Sequence, residues 1–283
     1  MLKINKKQYI AFIILVVILV ISVCMYLLYK SNITNKNNKN NNIFIYCIMI
    51  TGKDECRKHF AHVAIENFKR QDYPYKKLVI INHGKFNVIE NEIKIDEDMF
   101  EFHVEKTKDV SLGDLRNIGL EMVPLNALWI TWDDDDWRHD TFLSYLFTQL
   151  KESQSDCITF SNRIEYNTKN RFVWLMHLKK RFFIMLVPKD SRFMYLSKDT
   201  GEDLDFIDFY EKHYKCKVLR ANNPNLYIRL VHVNNTSAYV DADKKKIITT
   251  DNYSNYTESD STPEQESYTL YIINTFYKNV PCI

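Results

Sequence analysis

Hydrophobic positions along the chain fall into three textures: a continuous run, a gap, and a long stretch of short runs mixed with helix-spaced positions. From Gln8 to Tyr29 no charge interrupts Ile, Val and Leu. About 22 such residues, at about 1.5 Å each, make a helix of roughly 33 Å, enough for a hydrocarbon core of about 30 Å. Met25 to Tyr29 stand where a cleaved signal peptide would carry small residues, so the run is expected to stay as an anchor. Lys3, Lys6 and Lys7 on one side are matched by Lys30, Lys36 and Lys39 on the other, which leaves the side open. Single-pass membrane attachment with the domain in the lumen, rather than the cytosol, is the expectation. Residues 1–7 are too short to fold, and residues 30–42 are Asn- and Lys-rich with no apolar period, the texture of a solvated stalk.

From Ile43 the pattern becomes that of strands alternating with helices. Ile43 to Ile50 is a continuous apolar run ended by Thr51-Gly52, as in a strand buried on both faces. Phe60, Val63, Ala64 and Phe68 have helical spacing and stop before Tyr73-Pro74. Lys77 to Ile81 and Phe100 to Val104 read as strands. Ser111 with Asp114 three residues on predicts a capped helix through Met122. Further strands are expected at Ala127–Trp132, Cys157–Ser161, Phe172–Leu175, Phe182–Val187 and Leu226–His232, with helices at Thr141–Lys151 and Glu202–Tyr214. A polar stretch then leads to a last helix at Tyr268–Tyr277. This order predicts an α/β domain whose mainly parallel sheet is covered on both faces. Thr51, Asn82 and Asp133 then fall at carboxyl ends of strands, where open α/β sheets bind ligands.

Composition narrows the choice. A net charge of +2 from 38 basic and 36 acidic residues lacks the basic excess of a nucleic-acid binder, so no nucleic-acid partner is expected. The 6 cysteines contain no C-x-x-C pair, which leaves a zinc or thioredoxin-like site without support. With Cys24 in the apolar run an odd number remains, so at least one more is free or intermolecular. Asn235, Asn252 and Asn255 head N-x-S/T triplets, which are frequent by chance in an Asn-rich chain.

Candidate chemistry centres on Trp132-Asp133-Asp134-Asp135-Asp136-Trp137, four carboxylates ending an apolar strand. Like charges this close need neutralising, and oxygen ligands suit Mg²⁺, Mn²⁺ or Ca²⁺. If the backbone stays extended, Asp133 and Asp135 point one way and Asp134 and Asp136 the other. Three weaker signals accompany the run. Arg116, near a helix start, could bind a diphosphate or pair with the acidic run. Glu202 and Asp203 open an aromatic helix, where an acid is either a dipole partner or a general base. His232 ends a strand and could add a nitrogen ligand to an Asp-bound metal.

In this order the segments resemble the GT-A-fold glycosyltransferases, specifically the inverting nucleotide-sugar enzymes of family 2. Cys47 to Thr51 with Gln71-Asp72-Tyr73-Pro74 is similar to that family's first strand and Q-x-Y-P turn; Arg116-Asn117-Ile118-Gly119 resembles its R-N-x-G. Trp132 to Trp137 resembles its D-x-D motif, Gly201-Glu202-Asp203 its E-D acceptor-base motif, and His232 to Thr236 its H-x-x-N-T. Departures are Asn82-His83-Gly84 in place of Asp-Asp-Gly, Thr51-Gly52-Lys53-Asp54 in place of Thr-x-Asn-Arg, and no Q-x-x-R-W. The last argues against processive polymer synthesis.

The resemblance implies a GT-A domain over 43–236, followed by a polar segment and helix over 237–283. It implies a metal-dependent, inverting, non-processive transfer from a UDP-sugar to a glycan, lipid or protein acceptor. Asp135, Asp133 and His232 would hold Mn²⁺ or Mg²⁺. Thr51, Asn82, Arg116, Asn117, Asp133 and Asp134 would bind the nucleotide sugar. Asp203, with Glu202, would take the acceptor's proton. Two other readings remain: a sugar-phosphate nucleotidyltransferase, which normally needs a Gly-rich loop where only Gly52 stands, and a non-catalytic anchored module whose acidic run holds Ca²⁺.

Overall fold

The computed structural model describes residues 42–52, 55–88, 98–104, 110–178, 184–219, 224–232, 239–241, 246–248 and 256–280, all but Asn42 within one compact unit that begins at Ile43. The expected anchor at 8–29, the stalk up to Asn41, the triplet asparagines Asn235, Asn252 and Asn255, and Val233 to Thr236 lie outside them. Among the described residues no helix is long and apolar enough to cross a membrane.

In chain order the elements are β1 (Ile45–Thr51), α1 (Glu55–Arg70), β2 (Lys76–Asn82), β3 (Met99–His103), α2 (Leu112–Glu121), β4 (Leu128–Thr131), β5 (Trp137–Arg138) and α3 (Phe142–Glu152). Then come β6 (Cys157–Phe160), β7 (Asn162–Asn167), β8 (Phe172–Leu178), β9 (Met185–Pro188), α4 (Glu202–His213), β10 (Cys216–Leu219) and β11 (Tyr227–Val231). β12 (Tyr239–Asp241), β13 (Lys246–Ile248), β14 (Tyr256–Asp260) and α5 (Pro263–Phe276) complete them.

Seven strands form the main sheet in the order β10-β6-β9-β4-β1-β2-β3, parallel except where β9 runs against β6 and β4. The expected mainly parallel sheet is present, and the alternation of side chains along β1 explains its two covers. Cys47 and Met49 join α1 residues Ala61, Ala64 and Phe68 and α3 residues Phe142 and Leu146 on one face. Ile48 joins Leu120 of α2 and Phe206, Ile207 and Tyr210 of α4 on the other. Ser111 caps α2 in a capping box with Asp114, as its sequence predicts. Gln71 clips the Q-x-Y-P turn to α3: it donates to His139 O at 2.8 Å and accepts from Leu143 N at 3.1 Å.

A second sheet, β14-β8-β7-β11-β5, is not expected as a separate layer, although β8 and β11 fall where strands are predicted at Phe172–Leu175 and Leu226–His232. It packs Ile164, Tyr166, Ile228 and Leu230 against Ile272, Ile273 and Tyr277 at the end of the chain. β5 and β11 carry it to the acidic run, pairing Trp137 with Ile228. The last helix also starts earlier than its apolar spacing implies. Thr262 and Gln265 form a capping box around Pro263, so a polar first turn is stabilised that periodicity alone does not reveal. Cys47, Cys157 and Cys216 take part in no disulfide, while Cys56 is disulfide-bonded.

Gly119 lets α2 lie close on β1: an added Cβ would stand 2.5 Å from Ile48 Cγ2. In an exposed helix Gly→Ala gains about 1 kcal/mol. Here Gly119→Ala is expected to lose about 1–3 kcal/mol by overpacking, read as a lower urea midpoint.

Candidate active site

β1 and β2 end in register, Thr51 beside Asn82, and β4 stops opposite Ile48, so the residues after Thr131 run on to reach Thr51 at the same edge of the sheet. Trp132 closes the strand by donating its indole N–H to Ala64 O at 3.2 Å, and Trp137 is buried in the second sheet's core. Between these two anchors the chain does not stay extended. It turns at Asp134 and Asp135, so the expected two-and-two alternation of carboxylates does not occur.

Instead the carboxylates divide among protein partners, with Asp134 and Asp135 sharing one arginine. Asp134 accepts from Thr51 Oγ1 at 2.7 Å and from Arg57 Nη1 at 2.5 Å. Asp135 Oδ2 lies 2.7 Å from that same Arg57 nitrogen and 3.0 Å from His232 Nε2. His232 is itself stacked on Phe60 of α1, with ring centroids 4.7 Å apart. Asp136 turns toward the second sheet, accepting from Tyr227 Oη and, at 3.2 Å, from Leu230 N. Asp133 is the half-buried one, its side chain 41% accessible, with Arg116 Nη2 3.9 Å away.

Electrostatics follow this layout. Burial pushes Asp134 and Asp136 up to about 7, Asp134 against the pull of Arg57 and Asp136 with further repulsion from Asp135 and Asp133. Burial also acts on Asp135, but Arg57 and His232 outweigh it and hold this carboxyl below the usual range. Arg138 is fully buried over the Trp132 ring at 4.2 Å and donates to Asp133 O at 3.3 Å, fixing the turn's backbone.

A second group assembles around Arg116. Its Nε donates to the buried Glu202 at 3.2 Å, and its Nη2 is 3.7 Å from Asp203, whose side chain is a quarter exposed. Burial raises Asp203 to about 7, opposed by Arg116 and reinforced by Glu202 and Asp133. One guanidinium therefore ties α2, the start of α4 and the acidic turn together. Of the predicted site residues, Arg116, Asp133, Glu202 and Asp203 meet, as do Thr51, Asp134, Asp135 and His232.

Two predicted contacts have other duties. The Asn82 amide donates to Phe86 O at 2.6 Å and Glu101 Oε1 at 2.7 Å and accepts from Gly84 N at 2.8 Å, shaping its own loop. Gly52 beside it has φ +108°, and an added Cβ would meet Gly84 N. Asn117 exchanges hydrogen bonds with the Tyr195 backbone at 2.9 and 2.8 Å, seating the ring that lies 5.6 Å from the Arg116 guanidinium.

For a divalent ion, Asp135 and His232 form a mixed oxygen–nitrogen pair of the right chemistry. The third expected ligand, Asp133, faces Arg116 instead, and among the described residues no three His, Cys, Asp or Glu side chains form a metal-binding group. Arg57 and Arg138 were not foreseen. A usable signal exists for Arg57: carboxylates adjoining a buried strand call for cations, and this arginine opens the helix after the strand that pairs with β4.

No family model matches the chain, and no curated protein matches it by sequence. Solved structures do match its fold. TarS 1–349 of S. aureus in complex with UDP-GlcNAc gives a TM-score of 0.52 at 15% identity, over 70% of this chain and 62% of that one. Its complex with UDP gives 0.52 at 15% identity, over 67% and 61%. The chain thus spans less than two thirds of the TarS fragment, and what the two share at this identity is the fold.

Removing the shared guanidinium would strand the Glu202 carboxylate in the interior. Arg116→Met is expected to lose about 3–5 kcal/mol in urea unfolding, and adding Glu202→Gln to recover most of it. Equal stability of Arg116→Met and wild type would contradict this assignment.

Proposed function

We propose that the chain is a nucleotide-sugar-dependent glycosyltransferase of the GT-A, family 2 type, inverting and non-processive, with a UDP-sugar as donor. The observation that carries this reading is the linkage of Asp203 to the acidic turn. A partly exposed carboxyl raised to about 7 shares Arg116 with Asp133 at the carboxyl edge of a parallel sheet. The fold supports it, since TarS, solved with UDP-GlcNAc, has the same one.

Asp203 acts as the base, accepting the acceptor's hydroxyl proton at its exposed carboxylate as the oxygen attacks the anomeric carbon from the face opposite the leaving group. Glu202, buried against Arg116, orients the guanidinium rather than the acceptor. Arg116 and the outward Asp133 line the donor's path, and Thr51 and Asp134 buttress the turn from behind. Asn82 and Asn117 shape the walls. Mn²⁺ or Mg²⁺ held by Asp135 and His232 would supply charge neutralisation for the departing diphosphate. The acceptor is a glycan, lipid or protein hydroxyl, reached from a membrane anchor at residues 8–29.

The test is transfer by the full chain. Asp203→Asn should lower it by about 10²–10⁴-fold while donor binding persists. In the wild type, transfer should fall as pH drops through about 7, because protonated Asp203 cannot accept a proton. Undiminished transfer by Asp203→Asn would remove the assigned base.

A further inference from the structure

Adjacent carboxylates repel, and a divalent ion is the usual remedy; the geometry here provides another. A single nitrogen, Arg57 Nη1, lies 2.5 Å from Asp134 Oδ1 and 2.7 Å from Asp135 Oδ2. The pairing is sequestered, with side-chain exposures of 11% for Arg57, 4% for Asp134 and 9% for Asp135, so water screens it little. Thr51 holds the far oxygen of Asp134, and His232 meets the Asp135 oxygen that Arg57 contacts. Arg57 is fixed in turn, because its helical turn is tied down on both sides. Cys56 is disulfide-bonded, and Phe60 stacks on His232.

We propose that Arg57 is a positioning residue, a built-in counter-ion that sets the conformation of the acidic turn before any metal ion arrives. Its charge sits between the two carboxylates at the apex of the turn, where their repulsion would otherwise open it. With the apex held inward, Asp133 is left facing the cleft and Arg116. A divalent ion then acts on a turn already shaped. The inference concerns the conformation of the turn and stands apart from the transferase reading.

Hydrogen exchange on the full chain tests it without any donor, with Mn²⁺ alone as the probe. In the wild type, amides of a peptide covering Trp132 to Trp137 should exchange at the same rate in EDTA and in Mn²⁺. Arg57→Met should speed that exchange about tenfold or more in EDTA and be slowed again by Mn²⁺, with Arg57→Lys intermediate. A wild-type turn that becomes protected only when Mn²⁺ is added would overturn the proposal, as would wild-type exchange in Arg57→Met. If Arg57→Met also exchanges fast at Cys157 to Phe160, it has unfolded, and the wild-type and Arg57→Lys comparisons decide. Failure of every nucleotide sugar to react would remove the transferase reading and leave this result unaffected.

Discussion

Four carboxylates placed side by side at the end of a buried strand are the constraint on which the rest of this site depends. Interior carboxylates are tolerated only where charge and hydrogen bonds compensate for lost water. The chain meets that need one residue at a time: Arg57 with Thr51 and His232 for the two at the apex, Tyr227 and Leu230 N for Asp136, and Arg116 with solvent for Asp133. Each solution recruits a different element, so the acidic turn fixes the start of α1, the edge of the second sheet, α2 and the start of α4 relative to one another.

The division also separates support from exposure. Three carboxylates face inward and brace the turn, while Asp133 remains 41% accessible beside Arg116. Across that arginine stands Asp203, raised to about 7 by burial. A carboxylate poised near neutrality, a guanidinium and an outward aspartate at the carboxyl edge of a parallel sheet suit a reaction in which a hydroxyl must lose a proton next to a departing diphosphate.

The main sheet was legible in the sequence because β1, β2 and β4 are buried on both faces and read as unbroken apolar runs. The second sheet was legible only at β8 and β11. β7 reads Asn-Arg-Ile-Glu-Tyr-Asn, its Arg163 and Glu165 buried as an ion pair that composition scores as polar, and β14 is a polar strand paired to β8. At the site, the order of motifs points to Arg116, Asp133 and Asp203, which meet in the structure, and to Asp135 and His232, which lie 3.0 Å apart. The turn that replaced alternation, and the Arg57 bridge across 77 and 78 residues, depend on tertiary contacts that no local pattern encodes. Asn82 and Asn117 look like ligand amides in sequence because side-chain amides serve loops and ligands equally well.

The most direct measurement of the central reading is release of nucleoside diphosphate from a panel of nucleotide sugars by the full chain, with Mn²⁺ and in EDTA. Release from at least one UDP-sugar is expected, weakened by Arg116→Lys at the group that joins donor path and base. No release from any nucleotide sugar of the panel, together with no detectable UDP binding by calorimetry, would contradict it.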